Sequence, residues 1–200
     1  MKILLATQNP GKYEEISSFL KQIPNVISQK IDEKKAALKV EETGSTYQEN
    51  SLLKAKAFYE SYLDFTLSDD AGLEIPILKN ILGVKTRRFG AGENATDQEW
   101  LDFFLDYFKG YQGNDRVAYF KTVLCLYNGS KPVFFEGKIK GIISTKQLCE
   151  ITPGIPLSSV FIPDGYQKAM SQMTVSEKNS VSHRAKALNK LKDFLIHNNE

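Results

Sequence analysis

Asp69 and Asp70 are adjacent carboxylates between an apolar run, Leu63-Asp64-Phe65-Thr66-Leu67, and the segment Ala71-Gly72-Leu73-Glu74. The run reads as a buried strand, and Gly72 is where the chain can turn sharply. Paired acids at the end of an interior strand are costly to desolvate unless a cation or hydrogen-bond donors answer them. That cost points to metal binding or proton transfer. Side chains alternate faces along a strand, so the two carboxylates are expected to point apart, one toward the chemistry and one bracing the turn. An Asp-Asp-x-Gly surface turn fits this stretch equally well by itself.

Other charged positions bear on the choice. Ile3–Ala6 reads as a first buried strand, followed by Thr7-Gln8-Asn9-Pro10-Gly11-Lys12 and a helix from Tyr13 to Ile23 with an apolar stripe at Ile16, Phe19, Leu20 and Ile23. A polar loop entering a helix N-terminus suits an anion, through free backbone N–H groups, the helix dipole and the charge of Lys12. It is not a Walker loop, since G-x-x-x-x-G-K-[ST] is absent. Thr46 and Glu49 have capping-box spacing, so a helix should run from there to about Tyr62, with Asn50 and Lys54 on one face. Glu41 and Glu42 lie in the loop before it, where a carboxylate can reach a bound cation. Solvated loops with exposed lysines are the plainer reading of each of these segments.

Around these residues the chain supplies ordinary soluble-protein material. Two hundred residues suffice for one domain or two closely joined lobes, and 42% hydrophobic with 25% charged residues is a globular composition. A net charge of +2 argues against a nucleic-acid polymer or a membrane surface as partner. No apolar run approaches the ~20 residues of a spanning helix, and the apolar N-terminus is too short for a signal peptide. Cys125 and Cys149 lack metal-ligand spacing and read as free thiols of a reducing cytoplasm.

Val26-Ile27-Ser28 reads as a second strand and Lys30–Lys39 as an exposed connection. Gly83–Gly92 is a loop bearing Lys85, Arg87 and Arg88. Thr96 and Glu99 open a helix from Asp97 to Phe108, whose stripe of Trp100, Leu101, Phe104, Leu105 and Phe108 reads as core. Arg116–Tyr127 and Pro132–Ser144 form a hairpin around Asn128-Gly129. A Pro- and Gly-rich loop, Thr145–Ser159, follows. Thr174 and Glu177 make a third capping box, and Ser182, His183 and Arg184 sit at the entry of a final helix. His183 has no sequence-near His or Cys partner for zinc, and no G-x-S-x-G elbow exists for a serine hydrolase.

Taken in order, Thr7-Gln8-Asn9-Pro10-Gly11-Lys12, Glu41-x-x-Gly44-x-Thr46-Tyr47-x-Glu49-Asn50-x-x-x-Lys54-Ala55, Asp69-Asp70-x-Gly72-Leu73-Glu74, Gly90-x-x-x-x-Ala95-Thr96-Asp97, Phe135-x-Gly137-x-x-x-Gly141-x-Ile143 and Glu177-Lys178-Asn179-x-x-Ser182-His183-Arg184 resemble the Ham1/RdgB/inosine triphosphatase family of nucleoside-triphosphate pyrophosphatases. The resemblance runs from Thr7 to Leu188. It implies an α/β fold, two-lobed, with an elongated, mixed, curved sheet flanked by helices. Residues 1–200 would form a single such domain with the active-site cleft between its lobes, in a cytoplasmic homodimer. The implied reaction is Mg²⁺-dependent cleavage of a nucleoside triphosphate between its α- and β-phosphates, with ITP, dITP and XTP preferred. By position it makes Asp70 the general base and a metal ligand, Glu41 a second metal ligand, and Lys54 a catalytic phosphate contact. It makes Lys12 a further phosphate contact, and Thr7, Gln8, Asn9, Lys178, His183 and Arg184 nucleotide contacts.

The chain also departs from that pattern. Ala71 stands where members commonly carry Ser, which removes a hydroxyl beside the phosphates. Ile155-Pro156-Leu157-Ser158-Ser159 stands where members carry Phe-Gly-Tyr/Trp-Asp-Pro, and Arg87 replaces a small residue. An aromatic that stacks on a base contributes roughly 1–3 kcal/mol, so altered base recognition is expected. A non-catalytic nucleotide-binding protein is the alternative that this loop suggests.

Overall fold

The computed structural model describes residues 1–32, 38, 40–79, 81–92 and 94–197. Most of the Lys30–Lys39 connection therefore lies outside the described residues. The elements in chain order are β1 (Lys2–Ala6), α1 (Pro10–Leu20), β2 (Ile27–Gln29), α2 (Tyr47–Tyr62), β3 (Thr66–Glu74), α3 (Asp97–Tyr107), β4 (Val117–Tyr127), β5 (Val133–Ile143), β6 (Phe161–Pro163), α4 (Val175–Val181) and α5 (His183–His197). The strands form one mixed sheet in the order β2-β1-β3-β4-β5-β6. Its first three strands are parallel, and β3 through β6 pair antiparallel. An α/β architecture with a mixed sheet and flanking helices is what the family resemblance implies.

Alternation along β1 divides the faces. Ile3 and Leu5 pack with Ile16, Phe19 and Leu20 of α1 and with Leu188, Leu191 and Leu195 of α5. Leu4 and Ala6 face the other way, onto Phe58 of α2. A separate core gathers Leu73, Trp100, Phe104, Phe108, Phe120, Ile139 and Phe161 between α3 and the far ends of β3 to β6. Arg116 ties that end together. Its buried guanidinium donates to the carbonyls of Phe108, Tyr111, Ile143 and Ser144 and lies over the Phe108 ring.

Three expectations change. The acidic stretch is not a turn: β3 runs unbroken through Asp69, Asp70 and Gly72, each paired with β4. Leu63 belongs instead to the left-handed cap that ends α2, so the strand starts at Thr66. Gly72 is needed for close approach, because a Cβ there would overlap the Gly83 carbonyl. The first helix starts at Pro10, since Asn9 caps it and proline suits the first helical position.

Gly137 of β5 performs a similar service for α5. A Cβ at Gly137 would overlap the His183 carbonyl and lie 2.9 Å from the Ala187 nitrogen, both backbone atoms. Gly137→Ala is expected to destabilise by about 1–3 kcal/mol, as overpacking does, and to lower Tm by roughly 5 °C for a chain of this size. Thermal unfolding followed by circular dichroism checks it; an unchanged Tm would show that α5 does not rest on this strand.

Candidate active site

β3 outruns β1. Only Thr66, Leu67 and Ser68 pair with β1, so from Asp69 onward β3 is paired on the β4 side alone. That open edge lies beyond the carboxyl end of β1, a position where α/β sheets commonly leave a crevice. A cavity of about 510 Å³ opens there. Its walls are the Thr7–Asn9 loop, α2, the segment Gly83–Arg88, the loop Gly154–Ser158 and the start of α5.

The two aspartates do point apart, and their partners divide accordingly. Asp69 faces α1 and α5. It lies 3.2 Å from Lys12 Nζ and 3.1 Å from Arg184 Nη2, and it accepts a hydrogen bond from the Thr122 hydroxyl. Burial pushes its carboxyl up, but Lys12, Arg184 and Thr122 outweigh that and hold it well below the usual carboxylate range. Arg184, itself 3% exposed, also pairs with Glu15. Asp69 is thus saturated by partners and acts as a brace.

Asp70 faces α2 and is not saturated. One carboxylate oxygen is 3.3 Å from Lys54 Nζ; the other is buried with no partner among the described residues. Burial raises its carboxyl above the ordinary value against the pull of Lys54 and Lys12. Lys54 also holds Glu42 at 2.7 Å. Burial works against the Lys54 charge, yet Asp70 and Glu42 outweigh it and keep the ammonium above its ordinary value. Lys12 is shifted the other way, by burial and by the neighbouring Lys54 and Arg184 charges, despite Asp69.

Thr7, Gln8, Asn9, Lys12, Lys54, Ala71, His183 and Arg184 all line this cavity with Asp70. Glu41 and Lys178 do not. Glu41 is exposed, whereas its neighbour Glu42 turns inward. Lys54 draws in the Glu42 side chain and Arg88 holds its carbonyl at 2.8 Å. Lys178 is half-buried on α4, where its charge acts on Cys149. The helix entry also differs from expectation. Pro10 has no N–H, the Gly11 N–H donates to the Pro153 carbonyl, and the Lys12 N–H donates to Asn9 Oδ1. The loop therefore offers an anion the dipole and the Lys12 ammonium, not a cradle of free amides.

His183, also in the cavity lining, stacks on Phe120 with ring centroids 4.9 Å apart. Burial, and then the Arg184 charge, hold its imidazole well below the ordinary value, so it is neutral at pH 7. The added Arg87 is engaged: it donates to the Ala95 carbonyl at 3.0 Å and lies 3.5 Å from Asp97. Asp97 accepts from the Gly154 N–H at 2.6 Å, and the Gly154 carbonyl accepts from Asn9 Nδ2 at 2.6 Å. One chain of contacts thus fixes the Gly154–Ser158 loop to both walls.

No group of three or more His, Cys, Asp or Glu side chains that could hold a metal exists among the described residues. What the cavity offers a cation is the unpartnered Asp70 oxygen and the carboxylate of Glu42. Magnesium is commonly held by one or two carboxylates, with waters and substrate phosphates completing its shell. The residues present fit such an ion when a phosphate-bearing ligand accompanies it.

Comparison with known proteins settles the kinship. The family model described as Ham1 family matches residues 3–194. The chain belongs to the Ham1 family. Among curated relatives it is 39% identical to a dITP/XTP pyrophosphatase of Malacoplasma penetrans, covering 98% of both chains. It is 38% identical to the protein of that name from Thermoanaerobacter pseudethanolicus, covering 98% of this chain and 97% of the relative. Solved Ham1 proteins superpose over nearly their full length. The Coxiella burnetii structure gives a TM-score of 0.81 at 30% identity, covering 98% of this chain and 99% of that one. The Staphylococcus aureus structure gives 0.80 at 29%, covering 99% and 100%. No helix among the described residues is long and apolar enough to cross a membrane.

Proposed function

We propose that this Ham1 protein is a nucleoside-triphosphate pyrophosphatase that hydrolyses deaminated purine triphosphates such as dITP and XTP to the monophosphate and pyrophosphate. The observation that carries the reading is Asp70, with one oxygen 3.3 Å from Lys54 Nζ and the other buried and unpartnered among the described residues, in a cavity also lined by Lys12. Curated relatives of the same length bear that activity in their names.

A triphosphate brings several negative charges, and attack at phosphorus spreads more over the equatorial oxygens. Lys54 is kept charged by Asp70 and Glu42 and offsets that charge at the reacting phosphate; Lys12 does so from the α1 side. Asp70 accepts the proton of the attacking water. The water oxygen bonds to the α-phosphorus as the bond from that phosphorus to the bridging oxygen breaks, and pyrophosphate leaves with the electron pair. Its raised affinity for a proton suits a carboxylate to this task. A divalent ion, Mg²⁺ in this reading, would be held by Asp70 and Glu42 and would supply charge neutralisation and a more acidic water. Asp69, locked by Lys12 and Arg184, fixes the strand that carries Asp70. The separation of the α3 core from the clusters around β1 supports a single domain of two lobes with the site between them; the homodimer and the cytoplasmic setting rest on the family resemblance alone.

The test is a panel of dITP, ITP, XTP and the four ordinary nucleoside triphosphates, each with Mg²⁺, with products identified. Pyrophosphate and monophosphate from the deaminated purines, at higher kcat/KM than from ATP or GTP, is the expected result. Orthophosphate as the product would overturn the reading. Tight nucleotide binding without metal-stimulated turnover would favour the non-catalytic alternative.

A further inference from the structure

The loop that is expected to supply an aromatic and an acid to the base carries Ile155, Leu157 and Ser158 instead, and all three line the cavity. The indole that lines the same cavity comes from α3. Trp100 is 1% exposed, and its Nε1 is buried without a partner among the described residues. Its ring is stacked on Phe104, 5.5 Å between centroids at 7°, so it is held in place rather than free to seek a partner elsewhere. An indole nitrogen is a donor only. Leaving such a donor buried and unanswered costs about as much as a good hydrogen bond contributes, and native interiors rarely tolerate it without reason.

Trp100 shares the cavity lining with Phe120 and the neutral His183. An acceptor that enters from the cavity answers it. Hypoxanthine and xanthine, the bases of the substrates proposed above, share a keto oxygen at the purine 6-position; adenine presents an amino group there. We propose that Trp100 is a specificity-determining residue, its indole N–H donating to the 6-keto oxygen of the bound base. Adenine would place a donor against a donor and leave both buried and unpaired, the arrangement that discriminates best between near-isosteric ligands. The role rests on the reading of the cavity as a purine nucleotide site, but not on catalysis.

Trp100 is the only tryptophan in the chain, so its emission reports on this part of the cavity lining alone. The probes are the α,β-methylene analogues of inosine triphosphate and of purine riboside triphosphate, which differ at the 6-position and cannot be cleaved between the α- and β-phosphates. With the wild-type protein the inosine analogue is expected to shift the emission to the red, and the purine analogue is expected to shift it distinctly less. In Trp100→Phe, which keeps a ring and removes the donor, the preference for the inosine analogue over the purine analogue is expected to fall about tenfold, the scale of one lost buried hydrogen bond. Equal emission shifts with the two analogues, an unchanged preference in the variant, or no binding of either analogue overturns the assignment. Should Trp100→Phe fail to fold, the wild-type emission comparison decides alone. Tight, 6-keto-selective binding in a protein that turns over no triphosphate would sink the pyrophosphatase reading and leave this one standing.

Discussion

Asp70→Asn is expected to lower kcat by roughly 10²–10⁴-fold, the range for loss of a general base, while nucleotide binding persists. The amide keeps the shape of the side chain and cannot take the proton of water. Its position in β3 is held by backbone pairing with Val123 and does not depend on the charge. The variant also separates Asp70 from Asp69. The wild-type rate should rise with pH as the general base loses its proton, and that limb should be missing from the residual activity of the variant. Pyrophosphate release measured across pH, with affinity taken from tryptophan emission, provides the check. A rate within a few fold of wild type would remove Asp70 from the mechanism.

Asp69→Asn is expected to act on stability instead. Asp69 is 1% exposed and answers two cations, the buried Arg184 and the half-buried Lys12. Removing one member of a buried ion cluster costs about 3–5 kcal/mol because the remaining charges stay desolvated. At 2–4 °C per kcal/mol for a chain of this size, Tm should fall by roughly 10 °C. The sign of the pH dependence follows from the depressed carboxyl. Its folded-state pKa lies below the unfolded value of about 3.9, so the contribution is fully present above that value and is lost as pH falls toward the folded-state pKa. The gap in stability between wild type and Asp69→Asn should therefore be constant near neutrality and narrow below about pH 4. Denaturant unfolding at a series of pH values measures it; a gap that stays constant into acid would contradict the assignment of the charge to Asp69.

The sequence made some of this legible and hid the rest for identifiable reasons. Capping boxes at Thr46, Thr96 and Thr174 are local hydrogen-bond patterns, and each forms as read. The divergence of Asp69 from Asp70 needed only the alternation of a strand. Their setting did not follow, because Asp-Asp-x-Gly spells a turn locally while nine residues of pairing with β4 keep it extended. Glu41 and Glu42 are equivalent as letters; which one turns inward depends on Lys54 and Arg88, from α2 and from a segment more than forty residues away. The helix-entry amides looked free until Pro153, far along the chain, was found to take one. Trp100 fits a helical core stripe, and the stripe is indeed core. Only the unanswered indole nitrogen of a residue that also lines the cavity distinguishes it, and no pattern of spacing carries that information.

Hydrolysis of XTP in ¹⁸O-labelled water, with both products weighed by mass spectrometry, tests the geometry around Asp70 and Lys54 at the reacting atom. One ¹⁸O in the monophosphate and none in the pyrophosphate is the result that attack at the α-phosphorus requires. Label in the pyrophosphate, or in released orthophosphate, would place the chemistry on a different phosphorus and contradict it.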